Sequence, residues 1–432
     1  MAPAGPDGGD ALTAASSGSV RILRLAAGGD GVGRLPDGRT VFVPRTAPGD
    51  LVELRDLRLS RSFARARAGT LAEVSSDRVE ARCPHYLGDA CGGCQLQHLT
   101  IEAQRTAKRS FVGDALRRLA KLDLPDPEIE PAPNAWGYRT KITLTVRDTG
   151  RLIGFHRQGR PDEIFALRHC DIAAPALMKL WNAIRASRDL LPPDATHLVL
   201  RVDRSGGLHL LVQVKGQTAW SRARELHDAL GREAQHAVLW WQPEGGAARA
   251  VAGASTAYPA TAFEQVNPEM GDRVRQWAVQ QLGDISGCRA WDLYAGVGET
   301  TALLAGRGAR IESVESARLA VEEAERRGNA PGAVRHVGRA EELVPRLTPP
   351  DVVVTNPPRT GMDARVVEAI RVAVPRRIAY ISCDPATLAR DLSRMLSSVP
   401  ASPPLRVAAV RAFDLFPQTA HVETVVILER TA

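Results

Sequence analysis

The sequence of 432 residues contains only six cysteines, no internal repeat and no apolar run long enough to cross a membrane. Its first residues, MAPAGPDGGDALTAASSGS, lack the basic start and the apolar centre of a secretory signal. We therefore expect a flexible tail over residues 1–16 and a cytoplasmic protein that does not associate with membranes.

The composition that is present is ordinary for a globular protein of two to four domains, with 44% hydrophobic and 24% charged residues. The net charge of +7 is mildly basic. In RLSRSFARARAGT, a strand would place Arg61, Phe63, Arg65 and Arg67 on one face. Such a stripe suits a phosphate backbone with an unstacked base. An ordinary solvated strand face is the alternative.

The chain divides into three parts. Residues 17–78 read as short strands separated by turns, including a Pro-Asp-Gly hairpin turn, and predict a small OB-like β-barrel. Residues 79–262 combine a cysteine-rich segment with strands and one clear helix, which predicts an α+β domain. Within it, residues 101–121 form a basic helical pattern with Phe111, Ala115 and Leu119 on one face. We expect this helix to pack on the C-terminal domain.

Residues 263–432 alternate strand-like and helix-like segments, which predicts an α/β fold, a doubly wound Rossmann-like domain with a largely parallel sheet. In such sheets ligands bind at the carboxyl ends of the strands. The segments that follow the predicted strands are therefore the candidates for chemistry.

The segment WDLYAGVGETT places Gly296 and Gly298 in a turn between a strand and a helix. Glu315 ends the next strand, where an acidic residue can bind ribose hydroxyls. A dinucleotide fingerprint would have a third glycine where Thr301 stands, whereas S-adenosylmethionine has no pyrophosphate to accommodate. Together with Asp292, these residues favour a class I methyltransferase over a plain tight turn.

The segment DVVVTNPPRTG ends another strand with Asn-Pro-Pro, a rigid loop in which the Asn356 amide could face a base. Enzymes that methylate exocyclic amines also carry Asn-Pro-Pro, usually followed by an aromatic residue. Here Arg359 follows. A simple strand terminator is the alternative reading.

One cysteine stands at the same kind of position. In YISCDPATLARDL, Cys383 follows a predicted buried strand, and Pro385 suits the first turn of a helix. The thiol would then lie at the ligand-binding edge of the sheet. The alternative is a buried cysteine acting as a small hydrophobe.

Taken together, SCDPATLARDL, NPPRTG, FEQVNP and DLFPQTAHVETVVIL resemble the uracil-5 RNA methyltransferases. CPHYLGDACGGCQLQH resembles the iron–sulfur ribosomal RNA branch of that family, and the N-terminal strands resemble its TRAM domain. The resemblance implies that Cys383 is the nucleophile and that Glu423 is the base, with His421 positioning the substrate. It also implies a set of residues at the cofactor: Gln265, Tyr294, Glu315 and Asn356.

The implied chemistry has a physical reason. A thiolate that adds to uracil C6 makes C5 nucleophilic, and a base must then remove the C5 proton so that the cysteine can leave. A helix N-terminus next to Cys383 is expected to lower the pKa of its thiol. The family usually has Asn where Asp384 stands, so we expect Asp384 to cap the helix or to turn away.

Three cysteines have the spacing C-x7-C-x2-C, namely Cys83, Cys91 and Cys94, and Cys170 is a candidate fourth. In a cytoplasmic protein these favour a metal or cluster over disulfides. Spacing alone leaves zinc open, with His85 and His98 nearby. The resemblance favours a [4Fe–4S] cluster, although its first cysteine gap is shorter by two residues. Cys288 is expected to be buried without a partner.

The sequence therefore predicts a monomeric enzyme that methylates C5 of a uridine in RNA. Ribosomal RNA is favoured as the substrate and transfer RNA stays open. The alternatives are an RNA methyltransferase for exocyclic amines and an RNA-binding or assembly factor without catalytic activity.

Overall fold

The computed structural model describes residues 18–231, 234, 236–254, 256, 261, 264–397 and 404–431. The expected tail over residues 1–16 lies outside these residues, as does the expected boundary between residues 262 and 263. Among the described residues, no helix combines the length and the apolar character needed to span a bilayer.

The N-terminal part forms a six-stranded sheet in the order β1-β5-β6-β4-β3-β2. Its strands are β1 (Ser19–Arg21), β2 (Arg24–Leu25), β3 (Gly31–Arg34), β4 (Thr40–Val43), β5 (Leu51–Leu59) and β6 (Phe63–Glu73). Arg34 pairs with Thr40 across the Pro-Asp-Gly turn, which confirms the predicted hairpin. Along β6 buried Ala64 and Ala66 alternate with exposed Arg65 and Arg67, as the predicted stripe requires.

A connecting segment follows, with α1 (Pro84–Leu87), α2 (Ile101–Arg118) and β7 (Glu128–Glu130). Thr100 caps α2 by accepting a hydrogen bond from the backbone N–H of Ala103. Val112 and Leu116 pack into the core of the C-terminal domain, as predicted. The predicted apolar face was wrong at Leu119, which is 53% exposed. The helix instead buries two polar side chains, Gln104 and Lys108.

The central sheet has seven strands in the order β10-β9-β8-β11-β12-β13-β14, and only the β12–β13 pair is parallel. Its elements are β8 (Lys141–Arg147), β9 (Leu152–Arg157), β10 (Arg160–Ala166), α3 (Pro175–Ala186), β11 (Ala195–Val202), β12 (Leu208–Val214), α4 (Ala223–Ala229), β13 (Val238–Gln242) and β14 (Arg249–Ala252). One face packs on α3 and α4 through side chains such as Trp181, Leu198 and Leu210.

The C-terminal sheet has eight strands in the order β17-β16-β15-β18-β19-β21-β20-β7. Its elements are α5 (Pro268–Gln280), β15 (Arg289–Leu293), α6 (Glu299–Ala305), β16 (Arg310–Glu315), α7 (Arg318–Arg327), β17 (Val334–Val337), α8 (Ala340–Leu343), β18 (Val352–Thr355), α9 (Ala364–Ala373), β19 (Arg377–Ser382), α10 (Pro385–Leu396), β20 (Leu405–Phe413) and β21 (Glu423–Arg430).

Strands β15 to β19 are mutually parallel, which confirms the predicted doubly wound domain. Strand β21 is antiparallel to β19 and places Thr424 opposite Ser382. Because of this reversal, the beginning of β21 lies at the same edge as the carboxyl ends of the parallel strands. That edge holds the candidate site.

Candidate active site

Cys383 lies between β19 and α10, at the edge of the sheet where the sequence predicted it. Asp384 caps α10, because its Oδ1 accepts a hydrogen bond of 2.8 Å from the N–H of Thr387. Pro385 occupies the first turn of α10. The prediction that Asp384 would cap the helix is therefore confirmed.

Glu423 begins β21, beside the end of β19, so its carboxyl group lies close enough to Cys383 to affect the thiol. Glu423 is only 3% exposed. Burial raises the pKa of Glu423 to about 8, although the guanidinium groups of Arg275 and Arg359 oppose this shift. A carboxyl group with such a pKa can exchange a proton near neutral pH.

The pKa of Cys383 is also raised, chiefly by burial and next by the Glu423 carboxyl group. Arg359, a hydrogen-bonding neighbour of the thiol, lowers this pKa without reversing the shift. The expectation of a lowered pKa was therefore wrong. The effect of the helix N-terminus is outweighed because the thiol is removed from water and faces a second acidic group.

His421 lies two residues before β21, which begins at Glu423. Its ring meets Phe416 edge to face at 6.0 Å between ring centroids. His421 is exposed at its surface, but the protein atoms around its ring and the nearby cations Arg359, Lys108 and Arg139 lower its pKa to about 4. The imidazole is therefore neutral at physiological pH.

The predicted cofactor turn joins β15 to α6. Tyr294, Gly296 and Gly298 adopt the left-handed backbone conformation that such a tight turn requires. The N–H of Gly296 donates a hydrogen bond of 2.9 Å to Glu315 Oε2, so the acidic residue reaches the turn from the end of β16. Burial raises the pKa of the Tyr294 phenol above its usual range.

Asp292 and Thr301 stabilise this turn through a buried hydrogen bond. Thr301 Oγ1 donates a 2.6 Å hydrogen bond to Asp292 Oδ2, and both residues are buried. Burial raises the pKa of Asp292 to about 7, and the Thr301 hydrogen bond opposes the shift. Sequence reasoning treated Thr301 only as a missing glycine and did not detect its role as the partner of Asp292.

Asn356 follows β18, and its backbone N–H donates a hydrogen bond of 3.2 Å to the carbonyl oxygen of Leu293, which ties the ends of β18 and β15 together. Gln265 lies in the segment that connects the central sheet to α5 and packs over Gly271. A Cβ at Gly271 would come within 2.8 Å of Gln265 Cγ. The side chains of Asn356 and Gln265 are both half-buried.

Sequence reasoning missed Arg275, which is 7% exposed and points toward this site from α5. It pairs with Asp272 at 2.6 Å and with Glu299, the first residue of α6, at 3.0 Å. It also lowers the pKa of both Asp292 and Glu423. No motif marks Arg275, because the carboxyl groups of Asp292, Glu299 and Glu423 that it influences come from other elements of the chain.

The four cysteines Cys83, Cys91, Cys94 and Cys170 line one cavity of about 430 Å³. All four are free thiols. Burial raises the pKa of each thiol, to about 12 for Cys170. Neighbouring cysteines add to the shift at Cys91, Cys94 and Cys170, and Asp171 adds to it at Cys83. In the described part of the chain, no group of three or more His, Cys, Asp or Glu residues is arranged to hold one metal ion.

His85 and His98 lie near this cavity with other partners. His85 Nδ1 is 2.7 Å from Asp89 Oδ2, and His98 Nδ1 is 2.7 Å from the Tyr86 hydroxyl. Cys288 lies elsewhere and is half-buried, with Arg376 Nη2 at 3.4 Å from its Sγ. The expectation that Cys288 is buried was therefore wrong, because it is half-buried.

The doubly wound sheet, the glycine turn held by an acidic residue, and the thiol beside a buried carboxyl group define a class I S-adenosylmethionine-dependent methyltransferase. A family model described as tRNA (Uracil-5-)-methyltransferase matches residues 308–431, and a TRAM domain model matches residues 19–68.

Full-length relatives agree with these matches. A 23S rRNA (uracil(1939)-C(5))-methyltransferase RlmD from Halomonas elongata is 34% identical, over 94% of this chain and 88% of that protein. The RlmD of Thiobacillus denitrificans is 31% identical, over 95% and 99%. An uncharacterised RNA methyltransferase of Thermosynechococcus vestitus is 32% identical, over 95% and 97%. The chain belongs to the RNA uracil-5 methyltransferase family.

A solved structure shares the fold along most of the chain. It is the Pyrococcus abyssi tRNA (uracil-54, C5)-methyltransferase in complex with S-adenosyl-L-homocysteine, with a TM-score of 0.68 and 22% identity. The match covers 95% of this chain and 100% of that one. It supports the arrangement of the three parts as one fold.

Proposed function

We propose that this protein methylates C5 of a uridine in large-subunit ribosomal RNA through a transient bond between Cys383 and uracil C6. The proposal rests on the proximity of Cys383 to the buried carboxyl group of Glu423, at the ligand-binding edge of a methyltransferase sheet. The two relatives named RlmD support ribosomal RNA as the substrate.

The two residues have complementary tasks. The Cys383 thiolate adds to C6, and the electron pair of the C5–C6 double bond moves into the ring as an enolate, which makes C5 nucleophilic. After C5 carries the methyl group, the Glu423 carboxylate removes the C5 proton. The C–H electrons re-form the double bond and the C6–S electron pair returns to sulfur, which regenerates the thiolate.

Arg359 and His421 complete this part of the proposal. Arg359 lowers the pKa of both Cys383 and Glu423, so it favours the charged form that each needs. His421 is neutral near pH 7 and can offer one donor and one acceptor to the base. We assign it to substrate positioning.

Bound S-adenosylmethionine supplies an electrophilic methyl group. We assign its binding to Gln265, Tyr294, Gly296, Gly298, Glu315 and Asn356. Asp292 acts through Thr301 by holding the turn. Gly296 leaves open space where a side chain would stand, so a ligand can approach the backbone there, whereas a Cβ at Gly298 would meet Ala324 Cβ at 3.0 Å.

The decisive experiment is trapping with RNA that carries 5-fluorouridine at the target. Fluorine at C5 cannot leave as a proton, so the wild-type protein should remain attached to the RNA on a denaturing gel when S-adenosylmethionine is present. Cys383→Ala should form no adduct and no methyluridine, whereas Cys288→Ala should behave as wild type. An amine methyltransferase would keep its activity in Cys383→Ala and form no adduct, and this result would overturn the proposal.

The ribosomal substrate requires its own test. Methyluridine should be lost from large-subunit ribosomal RNA in a deletion strain and should return with the wild-type gene but not with the Cys383→Ala gene. Loss of the mark only from transfer RNA would contradict this part. Methylation of ribosomal RNA would also place the protein in the cytoplasm.

We further propose that the cysteine cavity holds a [4Fe–4S] cluster bound by Cys83, Cys91, Cys94 and Cys170. The donor set fits, because four thiols whose thiolate forms repel one another are stabilised by a cationic metal centre. Structural zinc needs four ligands about 2.0–2.3 Å from one point. Thiols spread around a cavity of about 430 Å³ suit a multinuclear cluster better.

Anaerobically purified protein should contain iron and acid-labile sulfide, and Cys94→Ser should lose both. Cys288→Ser is the matched control, because Cys288 lies outside the cavity. Stoichiometric zinc without iron would overturn the assignment.

We also propose that RNA contacts the exposed stripe of β6, where the Arg65 guanidinium lies 5.9 Å from the centroid of the Phe63 ring. The protein is proposed to act as a monomer. One enzyme per RNA in the trapped complex, measured by light scattering, would agree with this.

A further inference from the structure

The loop of residues 414–422 joins β20 to β21 and ends immediately before Glu423. Four successive carbonyl oxygens of this loop each accept a hydrogen bond from a distant segment. The donors are Asn267 Nδ2 to Leu415 at 3.0 Å, Lys108 Nζ to Phe416 at 2.9 Å, the Tyr138 hydroxyl to Pro417 at 2.9 Å, and the N–H groups of Gln95 and Leu96 to Gln418 at 3.1 and 3.0 Å. Three of these four carbonyl oxygens are therefore held by donors from outside the C-terminal domain, and Asn267 holds the fourth from within it.

Gln418 is the centre of this arrangement. It is 4% exposed and adopts a left-handed backbone with φ 71°, which is unfavourable for a residue other than glycine. Gln104, on α2, stabilises this conformation of Gln418 through both its amide nitrogen and its amide oxygen. Its Nε2 donates a hydrogen bond of 3.0 Å to Gln418 Oε1, and its Oε1 accepts a hydrogen bond of 2.9 Å from the Gln418 N–H.

Gln95 adds a second amide contact farther along the loop. Its Oε1 accepts a hydrogen bond of 3.2 Å from the N–H of Ala420, three residues before Glu423. Its Nε2 donates 2.8 Å to the carbonyl of Gly92, which fixes the orientation of the side chain. Gln95 directly follows Cys94, so the cysteine segment itself is bonded to the loop.

We propose that Gln104 and Gln95 are positioning residues that hold the 414–422 loop so that Glu423 faces the C5 proton. The inference rests on the proposed function and deepens it. Neither glutamine belongs to the C-terminal domain, so the placement of the base depends on the preceding segment of the chain. Addition of Cys383 and transfer of the methyl group do not need the base, whereas release of the product does.

A displaced base therefore has a specific kinetic signature. Adduct formation continues while its resolution slows, so enzyme covalently bound to ordinary uridine RNA accumulates during turnover. Simple loss of folded protein would lower the adduct and the turnover together. The two roles can be separated by measuring both quantities.

The test compares Gln104→Met and Gln95→Met with Gln213→Met. The control breaks another glutamine pair, in which Gln213 Nε2 donates 2.8 Å to Gln242 Oε1 in the central sheet, away from the loop. We measure kcat and the fraction of enzyme bound to ordinary RNA on denaturing gels, together with the melting temperature. Gln104→Met should lower kcat at least tenfold and raise the bound fraction severalfold, and Gln213→Met should change neither.

If Gln104→Met does not fold, Gln95→Met decides the question, because Gln95 is only half-buried. Unchanged kcat, or a parallel fall of kcat and adduct in a folded variant, would overturn the positioning role. Wild-type protein that forms no adduct even with 5-fluorouridine RNA would instead overturn the proposed function. The two failures are therefore distinguishable.

Discussion

At the residue scale, burial favours the uncharged forms of the two groups to which the proposed mechanism assigns the chemistry, the Cys383 thiol and the Glu423 carboxyl group. Burial raises the pKa of Glu423 to about 8 and also raises that of Cys383. Each group must lose its proton to act. The neighbouring Arg359 and Arg275 stabilise the charged forms without fully compensating for burial.

The pH dependence of activity follows from these shifts. Because the thiolate and the carboxylate are the active forms, kcat/KM, which reports groups of the free enzyme, should rise with pH through about pH 8. Initial rates between pH 6 and 9.5 measure this profile. A rate that is flat between pH 6 and 8 would contradict it.

Stability should show the opposite trend at Glu423. Its folded pKa of about 8 lies above the unfolded value near 4.5, so the folded state holds the proton more tightly and loses stability as the pH rises between these values. Glu423→Gln removes this penalty. Relative to wild type, it should gain up to a few kcal/mol in unfolding free energy between pH 5 and pH 8.5, measured by urea denaturation.

A suitable control is Glu368→Gln, at an exposed carboxylate of α9. The difference in unfolding free energy between Glu368→Gln and the wild type should stay nearly constant over the same pH range. An equal gain in both variants would refute the assignment to Glu423.

Residue-level prediction from the sequence succeeded where the motif is local. Cys383, Asp384 and Pro385 are adjacent in the chain, and a strand followed by a helix fixes where each one lies. The pKa values could not be obtained in this way, because they depend on burial and on partners such as Arg275 that no motif marks. Thr301 was undervalued for the same reason, since its partner Asp292 lies nine residues away.

At the scale of elements, α2 shows how a polar pattern can conceal a buried face. Lys108 is fully buried, and its Nζ lies 2.6 Å from Asp414 Oδ1. A helical pattern read for apolar residues assigns such a lysine to solvent, which is why the predicted face was displaced toward Leu119. The strand–helix alternation of the C-terminal domain was predictable because parallel strands are buried on both faces and read as apolar runs.

The buried pair predicts a large effect of removing one partner. Lys108→Met should lower the unfolding free energy by about 3–5 kcal/mol, because it leaves the buried carboxylate of Asp414 with only Arg105 at 3.5 Å. The double variant Lys108→Met/Asp414→Asn should recover part of this loss, because no buried charge stays unpaired.

Urea denaturation of the single and double variants measures both values. Lys179→Met on α3 is the control for loss of a lysine that is exposed. A double variant less stable than Lys108→Met alone would show that the charge of Asp414 is satisfied by other groups.

At the scale of the whole molecule, two networks of ion pairs join the central sheet to the C-terminal domain. In one, Glu264 pairs with two arginines. Its Oε2 lies 2.7 Å from Arg201 Nη2, and its Oε1 lies 2.6 Å from Arg327 Nη2. In the other, Arg204 meets Asp272 at 2.9 Å and also contacts Glu299. Glu299 begins α6 directly after Gly298, so the second network reaches the cofactor turn.

The second network predicts that the central sheet affects cofactor binding. Arg204→Ala removes one of the two guanidinium groups that hold Glu299, and Arg275 stays as the other. Since the pairs are partly exposed, the loss should be about 1 kcal/mol, a three- to tenfold weaker affinity for S-adenosylhomocysteine in calorimetry. Arg222→Ala, which breaks an exposed pair with Glu225, should leave that affinity unchanged. An unaltered affinity in Arg204→Ala with weakened RNA binding would instead mean that Arg204 serves the RNA surface.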